Sequence, residues 1–177
     1  MKYFTYELWT QINSENKAER ETAELEWNYN YREYIEYLQR IKPQIARGTR
    51  TAIQEMTEGN VSLHDFRLAG VTYSSKQTSK KIGPAHRPYK RICRLQLTDG
   101  MTEVELVLSG ITQMSIEIEH FKGKDFNDLH WGYCEFVFEK PYIILSILFD
   151  SGQIWKFEFT SLVINKSKGK KEKSSQN

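Results

Sequence analysis

The chain has 177 residues, of which 39% are hydrophobic and 13% aromatic, with a formal net charge of +2. This length can bury a substantial core as one domain, and so aromatic a composition excludes general disorder. The near-neutral charge gives no bulk attraction to a polyanion and disfavours a nucleic-acid partner. The longest apolar run, Tyr142 to Phe149, is too short to cross a bilayer.

The two cysteines, Cys93 and Cys134, both lie in apolar strand patterns. Two cysteines so placed form neither a disulfide framework nor a metal-binding knuckle. The opening residues lack the apolar run of a signal peptide. We therefore expect a cytoplasmic protein with no membrane association and no cofactor.

The first third of the chain is predicted to be helical. A short helix should follow Thr5, and a longer one should run from Glu15 to Ile41 because no glycine or proline interrupts that stretch. Pro43 then ends it, and a further short helix is predicted between Ile45 and Met56. The apolar residues of the long helix recur every three or four positions, at Trp27, Tyr31, Tyr34, Ile35, Leu38 and Ile41.

From Leu63 onward the apolar period changes to two, which is typical of strands. Alternating runs begin at Phe66, Cys93, Val104, Met114, Cys134 and Trp155. The run from Tyr142 to Phe149 is apolar on both faces and is placed centrally, and Asp99-Gly100 predicts a type I′ hairpin turn. Helices followed by strands indicate an α+β fold, with N-terminal helices packed on a single antiparallel β-sheet of about six to seven strands. The aromatic helix would cover that sheet.

One domain is predicted over residues 1–166, with a helical part at 1–60 and the sheet at 61–166. Residues 167–177 are predicted to be a disordered basic tail, because they are polar and rich in lysine. The segment from Ser74 to Pro88 is rich in Ser, Lys and Pro and is predicted to be a long mobile connection.

Glutamates cluster at the start of the long helix, at positions 15, 19, 21, 24 and 26. A helix whose other face is committed to the core can present such a cluster to a basic protein partner. Glu19, Glu24 and Glu26 are therefore the predicted partner-binding residues. An ordinary solvated helix face has the same pattern, so that alternative stays open. The oligomeric state is not predicted.

The pair His64-Asp65 raises the alternative of a metal-dependent hydrolase. That chemistry needs further ligands, and a polar pair opening the first strand is the simpler explanation. Asp125, Asp128 and His130 match neither an EF-hand nor a zinc motif. A small-molecule binding domain with an aromatic cavity is a third possibility. No catalytic or metal-binding residue is assigned.

The opening Met1-Lys2-Tyr3-Phe4-Thr5-x-Glu7-Leu8-Trp9, with the later Leu63-His64-Asp65, resembles a family of Gram-positive bacterial proteins catalogued as a domain of unknown function. The chain is also similar in style to small immunity proteins that neutralise polymorphic toxins. The resemblance implies an intracellular bacterial protein and carries over no catalytic residue. The expected function is a non-enzymatic interaction protein, immunity-like or antitoxin-like.

Overall fold

The computed structural model describes residues 1–58, 63–64, 66–77, 89–118 and 129–168. Helices come first: α1 (Tyr6–Ile12), α2 (Lys17–Ile41), a 3-10 turn (Lys42–Gln44) and α3 (Arg47–Thr57). The strands follow: β1 (Arg67–Gln77), β2 (Tyr89–Thr98), β3 (Thr102–Ser109), β4 (Gln113–Glu117), β5 (Trp131–Glu139), β6 (Tyr142–Phe149), β7 (Ile154–Phe159) and β8 (Ser161–Lys168). The predicted α+β class is confirmed.

Side chains just before α1 and α2 determine where these helices begin. The Thr5 hydroxyl accepts the backbone N–H of Leu8. The Asn16 side chain accepts the N–H groups of Ala18 and Glu19, which would otherwise lack a partner in the first helical turn.

The strands form two antiparallel sheets, in the orders β1-β2-β3-β8 and β4-β7-β6-β5. The predicted single sheet of six to seven strands is therefore wrong. The chain turns from one sheet into the other at two neighbouring points, Gly110 after β3 and Thr160 before β8. Gly110 has a φ of +71°, and the Thr160 N–H donates to the Ser109 carbonyl over 3.1 Å. The antiparallel pairing of β3 with β8 thus continues beyond the bend as the pairing of β4 with β7.

One apolar face of each sheet belongs to a common core. The first sheet contributes fully buried side chains from β2 and β3, including Cys93, Leu95, Leu97, Val104, Leu106 and Leu108. The second contributes larger ones, including Phe136, Leu145, Ile147, Phe157 and Phe159. The non-polar face of α2 adds Tyr34, Leu38 and Ile41 to the same core.

Helix α2 lies along a sheet edge. The hydroxyl oxygens of Tyr34 and Tyr37 accept the backbone N–H groups of Phe136 and Phe138 in the edge strand β5, over 2.6 and 2.7 Å. On the other sheet, the Thr49 hydroxyl of α3 accepts the Leu162 N–H of the edge strand β8 over 3.2 Å. The helices therefore protect two edges that would otherwise present unpaired donors.

Two strand boundaries and one turn differ from the predicted ones. Strand β8 ends at Lys168, two residues beyond the predicted domain end, and 169–177 lie outside the described residues. Strand β1 continues to Gln77, and 78–88 also lie outside the described residues. The β2–β3 loop has three residues, and only Gly100 among them has positive φ, at +89°. The type I′ turn, which needs two such residues, is wrong.

Candidate partner-binding site

Four aromatic side chains meet where α2 passes the start of β5, and we call Phe4, Trp27, Tyr31 and Tyr133 the ring cluster. The rings of Trp27 and Tyr31, one helical turn apart, stack with centroids 5.2 Å apart and planes within 8°. The rings of Phe4 and Tyr133 lie 5.8 and 5.9 Å from Trp27. Trp27 is thus the centre of the cluster.

The N-terminal segment holds Phe4 in this cluster. The carboxylate of Glu135, whose residue is 2% exposed, accepts the backbone N–H groups of Lys2 and Tyr3 over 2.6 and 2.9 Å. The Asn30 amide of α2 donates to the Tyr3 carbonyl over 3.1 Å. The segment is therefore clamped between β5 and α2, which positions Phe4 against Trp27.

A β-bulge at Gly132 positions Tyr133. Trp131 pairs with Phe149, whereas Tyr133 pairs with the adjacent Leu148, so the two aromatic residues lie on opposite faces of the strand. Trp131 is buried and Tyr133 is half-buried. A side chain at 132 would lie only 2.9 Å from the Leu148 carbonyl oxygen, which explains the glycine at this position.

Two spaces adjoin the ring cluster, and both are lined by Trp27 and Tyr133. The first, the ring cavity, has a volume of about 230 Å³ and is lined further by Phe4, Tyr31, Met56, Leu63 and His64. The second, the ring groove, has a volume of about 250 Å³, and its remaining lining residues are Ile12, Glu24 and Asn28. The groove therefore combines two aromatic walls with a carboxylate.

The three predicted partner-binding glutamates are all exposed, yet they differ in their surroundings. The Glu19 carboxylate accepts the Ser14 hydroxyl over 2.6 Å at the start of α2. Glu24 lines the ring groove. Within the described part of the chain, the carboxylates of Glu24 and Glu26 have no hydrogen-bond or ion-pair partner. Glu21, by contrast, pairs with Lys17 over 3.6 Å.

Sequence reasoning missed two apolar residues on the exposed side of α2. Leu25 is 73% exposed and Tyr29 is 56% exposed. Residues four apart are neighbours on a helix surface, so Glu21, Leu25, Tyr29 and Glu33 form one exposed row. We call Leu25 and Tyr29 the anchor pair. Their four-residue spacing is a signal in the sequence, but the core-facing residues of the same helix follow the same period.

The residues of the hydrolase alternative do not form a described metal site. His64 lies against the Tyr133 ring, with centroids 6.1 Å apart, and Asp65 lies outside the described residues, as do Asp125 and Asp128. His130 forms a β-bridge with Arg67. Among the residues that the structure describes, no three or more His, Cys, Asp or Glu side chains are grouped to hold a metal ion.

Burial alters the acid–base properties of several side chains near the cluster. Burial and the negative charge of Glu135 raise the pKa of the Cys134 thiol to about 12. Burial, with a smaller contribution from Asp150, raises the pKa of Tyr133. The indole nitrogen of Trp27 is buried without an acceptor among the described residues. The cluster therefore favours neutral thiol and phenol groups at physiological pH.

A larger groove, of about 480 Å³, lies on the outer face of the first sheet. Its charged groups already have partners within the protein. Glu105 is bonded by Arg94 over 3.1 Å and by Asn165 over 2.9 Å, and Glu103 accepts the Ser167 hydroxyl. Because Glu24 and Glu26 have no such partners among the residues that the structure describes, α2 is the stronger candidate for binding.

The fold and this surface define an α+β protein with an exposed acidic helix beside an aromatic groove. No protein-family model, no curated protein and no solved structure matches this chain. Within the described residues, none of the helices has both the length and the apolar character needed to cross a membrane.

Proposed function

We propose that this protein is a non-enzymatic interaction protein that uses α2 to dock a basic segment of a protein partner, as an immunity or antitoxin-like protein would. The observation that carries the proposal is the exposed anchor pair, Leu25 and Tyr29, beside Glu24 and Glu26, two exposed carboxylates that no side chain of the described residues pairs with.

Such a surface has the composition of a protein–protein contact. A few central apolar or aromatic residues supply most of the binding free energy, and charged residues around them supply orientation and speed. Tyr29 is of the residue type enriched in these centres. Because the two residues that flank Leu25, Glu24 and Glu26, both carry carboxylates, the complementary partner surface carries Lys or Arg around an apolar patch.

Site-specific crosslinking in the cells that produce the protein tests this proposal. A photoreactive phenylalanine at position 29 should give a covalent adduct with one basic protein. The same residue at Val163, which is 49% exposed on β8, is the matched control and should not give that adduct. An equal yield of the adduct at both positions, or none at 29, would contradict the proposal.

Charge reversal then tests the electrostatic part on the crosslinked partner after purification. Glu24→Lys with Glu26→Lys should slow association severalfold, because complementary charge mainly accelerates encounter. The control, Glu103→Lys with Glu139→Lys, makes the same change in net charge on other exposed positions. In about 1 M salt, where the Debye length is about 3 Å, the difference should disappear. Equal slowing by both double variants would exclude a local role for α2.

A further inference from the structure

We infer that the ring groove is a receptor for the guanidinium group of an arginine side chain, and that this arginine belongs to the partner segment docked on α2. The inference rests on the proposed function, and it adds the chemistry that the groove recognises.

The groove is built from three elements that hold its walls in place. Trp27 and Asn28 follow Glu24 by three and four residues on α2, so both are its neighbours on the helix surface. The three side chains line one continuous strip of the groove. The bulge in β5 supplies Tyr133, and the end of α1 supplies Ile12. The ring of Trp27 is further fixed by its contacts with Phe4 and Tyr31.

The groove contains hydrogen-bond acceptors that suit a ligand group with N–H donors and no acceptor. The Asn28 amide nitrogen donates to the Glu24 carbonyl over 2.8 Å, which leaves the amide oxygen of Asn28 as an acceptor. The Glu24 carboxylate supplies further acceptors and a negative charge. A guanidinium has five N–H donors and no acceptor, so its hydrogen-bonding pattern is complementary to these two side chains.

The aromatic walls favour arginine among the cationic side chains. A planar guanidinium stacks on an aromatic face while its N–H groups bind a carboxylate, whereas the lysine ammonium is a compact, strongly hydrated charge. The groove volume of about 250 Å³ is also below the range of about 300–1,000 Å³ typical of pockets for drug-sized ligands. The groove is therefore smaller than a typical small-molecule pocket.

The full chain can be titrated with N-acetyl-arginine amide while the indole signals of its four tryptophans are followed by NMR. The indole signal that is missing from the spectrum of Trp27→Phe belongs to Trp27. In the wild type, the position of this signal should change as N-acetyl-arginine amide is added, until the site is saturated. The matched probes are the amides of N-acetyl-lysine, which should bind more weakly, and of N-acetyl-citrulline, an uncharged analogue that should not bind.

Two single variants test whether arginine binds through the Glu24 carboxylate itself or through the general negative charge of α2. Glu24→Gln should weaken arginine binding about fivefold or more, because it removes the charged acceptor in the groove. The control, Glu36→Gln, removes a carboxylate at an exposed position of the same helix, outside both the groove lining and the docking surface, and should leave binding unchanged. Thermal unfolding of both variants checks that the fold is intact.

Three results would overturn the inference: an unmoved Trp27 signal, equal shifts with arginine and citrulline, or equal weakening by both variants. The proposed function is tested separately, since it depends on the crosslink at position 29. A crosslinked partner with no arginine binding would overturn only the groove assignment. Arginine binding without a crosslink at 29 would leave the guanidinium receptor in place, but it would overturn the docking role of α2 and the assignment of the arginine to a segment bound there.

Discussion

The Tyr34 hydroxyl oxygen accepts a hydrogen bond from the backbone N–H of Phe136 at 2.6 Å, across 102 positions of sequence. Tyr34 is 1% exposed, and burial raises its pKa well above the usual tyrosine value, so the phenol is protonated at neutral pH. This contact joins α2 to the edge of the second sheet.

Replacing this tyrosine should therefore reveal the cost of an unpaired donor. Tyr34→Phe leaves the Phe136 N–H buried without an acceptor, which costs about 1–3 kcal/mol. Urea unfolding measures the change, with Tyr29→Phe as the control because Tyr29 is exposed and should stay within about 0.5 kcal/mol. A change in Tyr34→Phe no larger than in the control would show that this hydrogen bond does not stabilise the fold.

The Glu135 carboxylate is expected to hold the N-terminal segment, and through it Phe4. Glu135→Gln replaces one acceptor oxygen with an amide that cannot accept the N–H of Lys2 or Tyr3, so we expect a loss of about 1–3 kcal/mol. Hydrogen exchange at Lys2 and Tyr3 should also accelerate. Glu139→Gln, exposed at the end of the same strand, should change neither quantity. Unchanged exchange in Glu135→Gln would contradict the clamp.

Gly100 and Gly110 both have positive φ, but we expect alanine to destabilise the fold more at Gly110, where the chain bends. Alanine at Gly100 meets only the backbone strain, because no atom lies within 4 Å of the added methyl group. Alanine at Gly110 meets the same strain and also overlaps the Thr160 hydroxyl. Gly110→Ala should therefore lower the unfolding midpoint more than Gly100→Ala, and adding Thr160→Ala should recover part of the loss. Equal effects at both glycines would show that close packing at the bend is unimportant.

We expect Asp99 to make the free energy of unfolding depend on pH, but only under acid conditions. The N–H groups of Thr102 and Met101 hold the pKa of its carboxyl below the ordinary value of 3.8. A lowered folded-state pKa contributes stability above the ordinary pKa, and that stability is lost as the pH falls through the lower value. The stability difference between the wild type and Asp99→Ala should thus be constant near neutral pH and should shrink below about pH 4. A difference that stays constant down to pH 2 would contradict this.

Both thiols should be unreactive in the folded protein. Burial raises the pKa of Cys93 to about 11, so about one thiol in a thousand is ionised at pH 8, and Cys134 is still less acidic. The thiolate is the reactive form. A disulfide-exchange reagent at pH 8 should therefore label neither cysteine until urea unfolds the chain. Labelling of folded protein at the rate of a free thiol would show that one of these sites opens.

The sequence by itself determined the local elements, because they depend on contacts between neighbouring residues. The spacing of Trp27, Tyr34 and Leu38 predicted α2, and the alternation after Leu63 predicted strands that the structure contains. The same local pattern also located the acidic stretch that carries Glu24 and Glu26.

The tertiary structure alone decided how the strands divide and which side chains meet. An alternating strand looks the same on either side of the bend at Gly110, so one sheet could not be distinguished from two. The ring groove likewise joins Glu24 to Tyr133, residues from different elements. Neither relation leaves a periodic signal, because each depends on long-range packing that no short window of sequence contains.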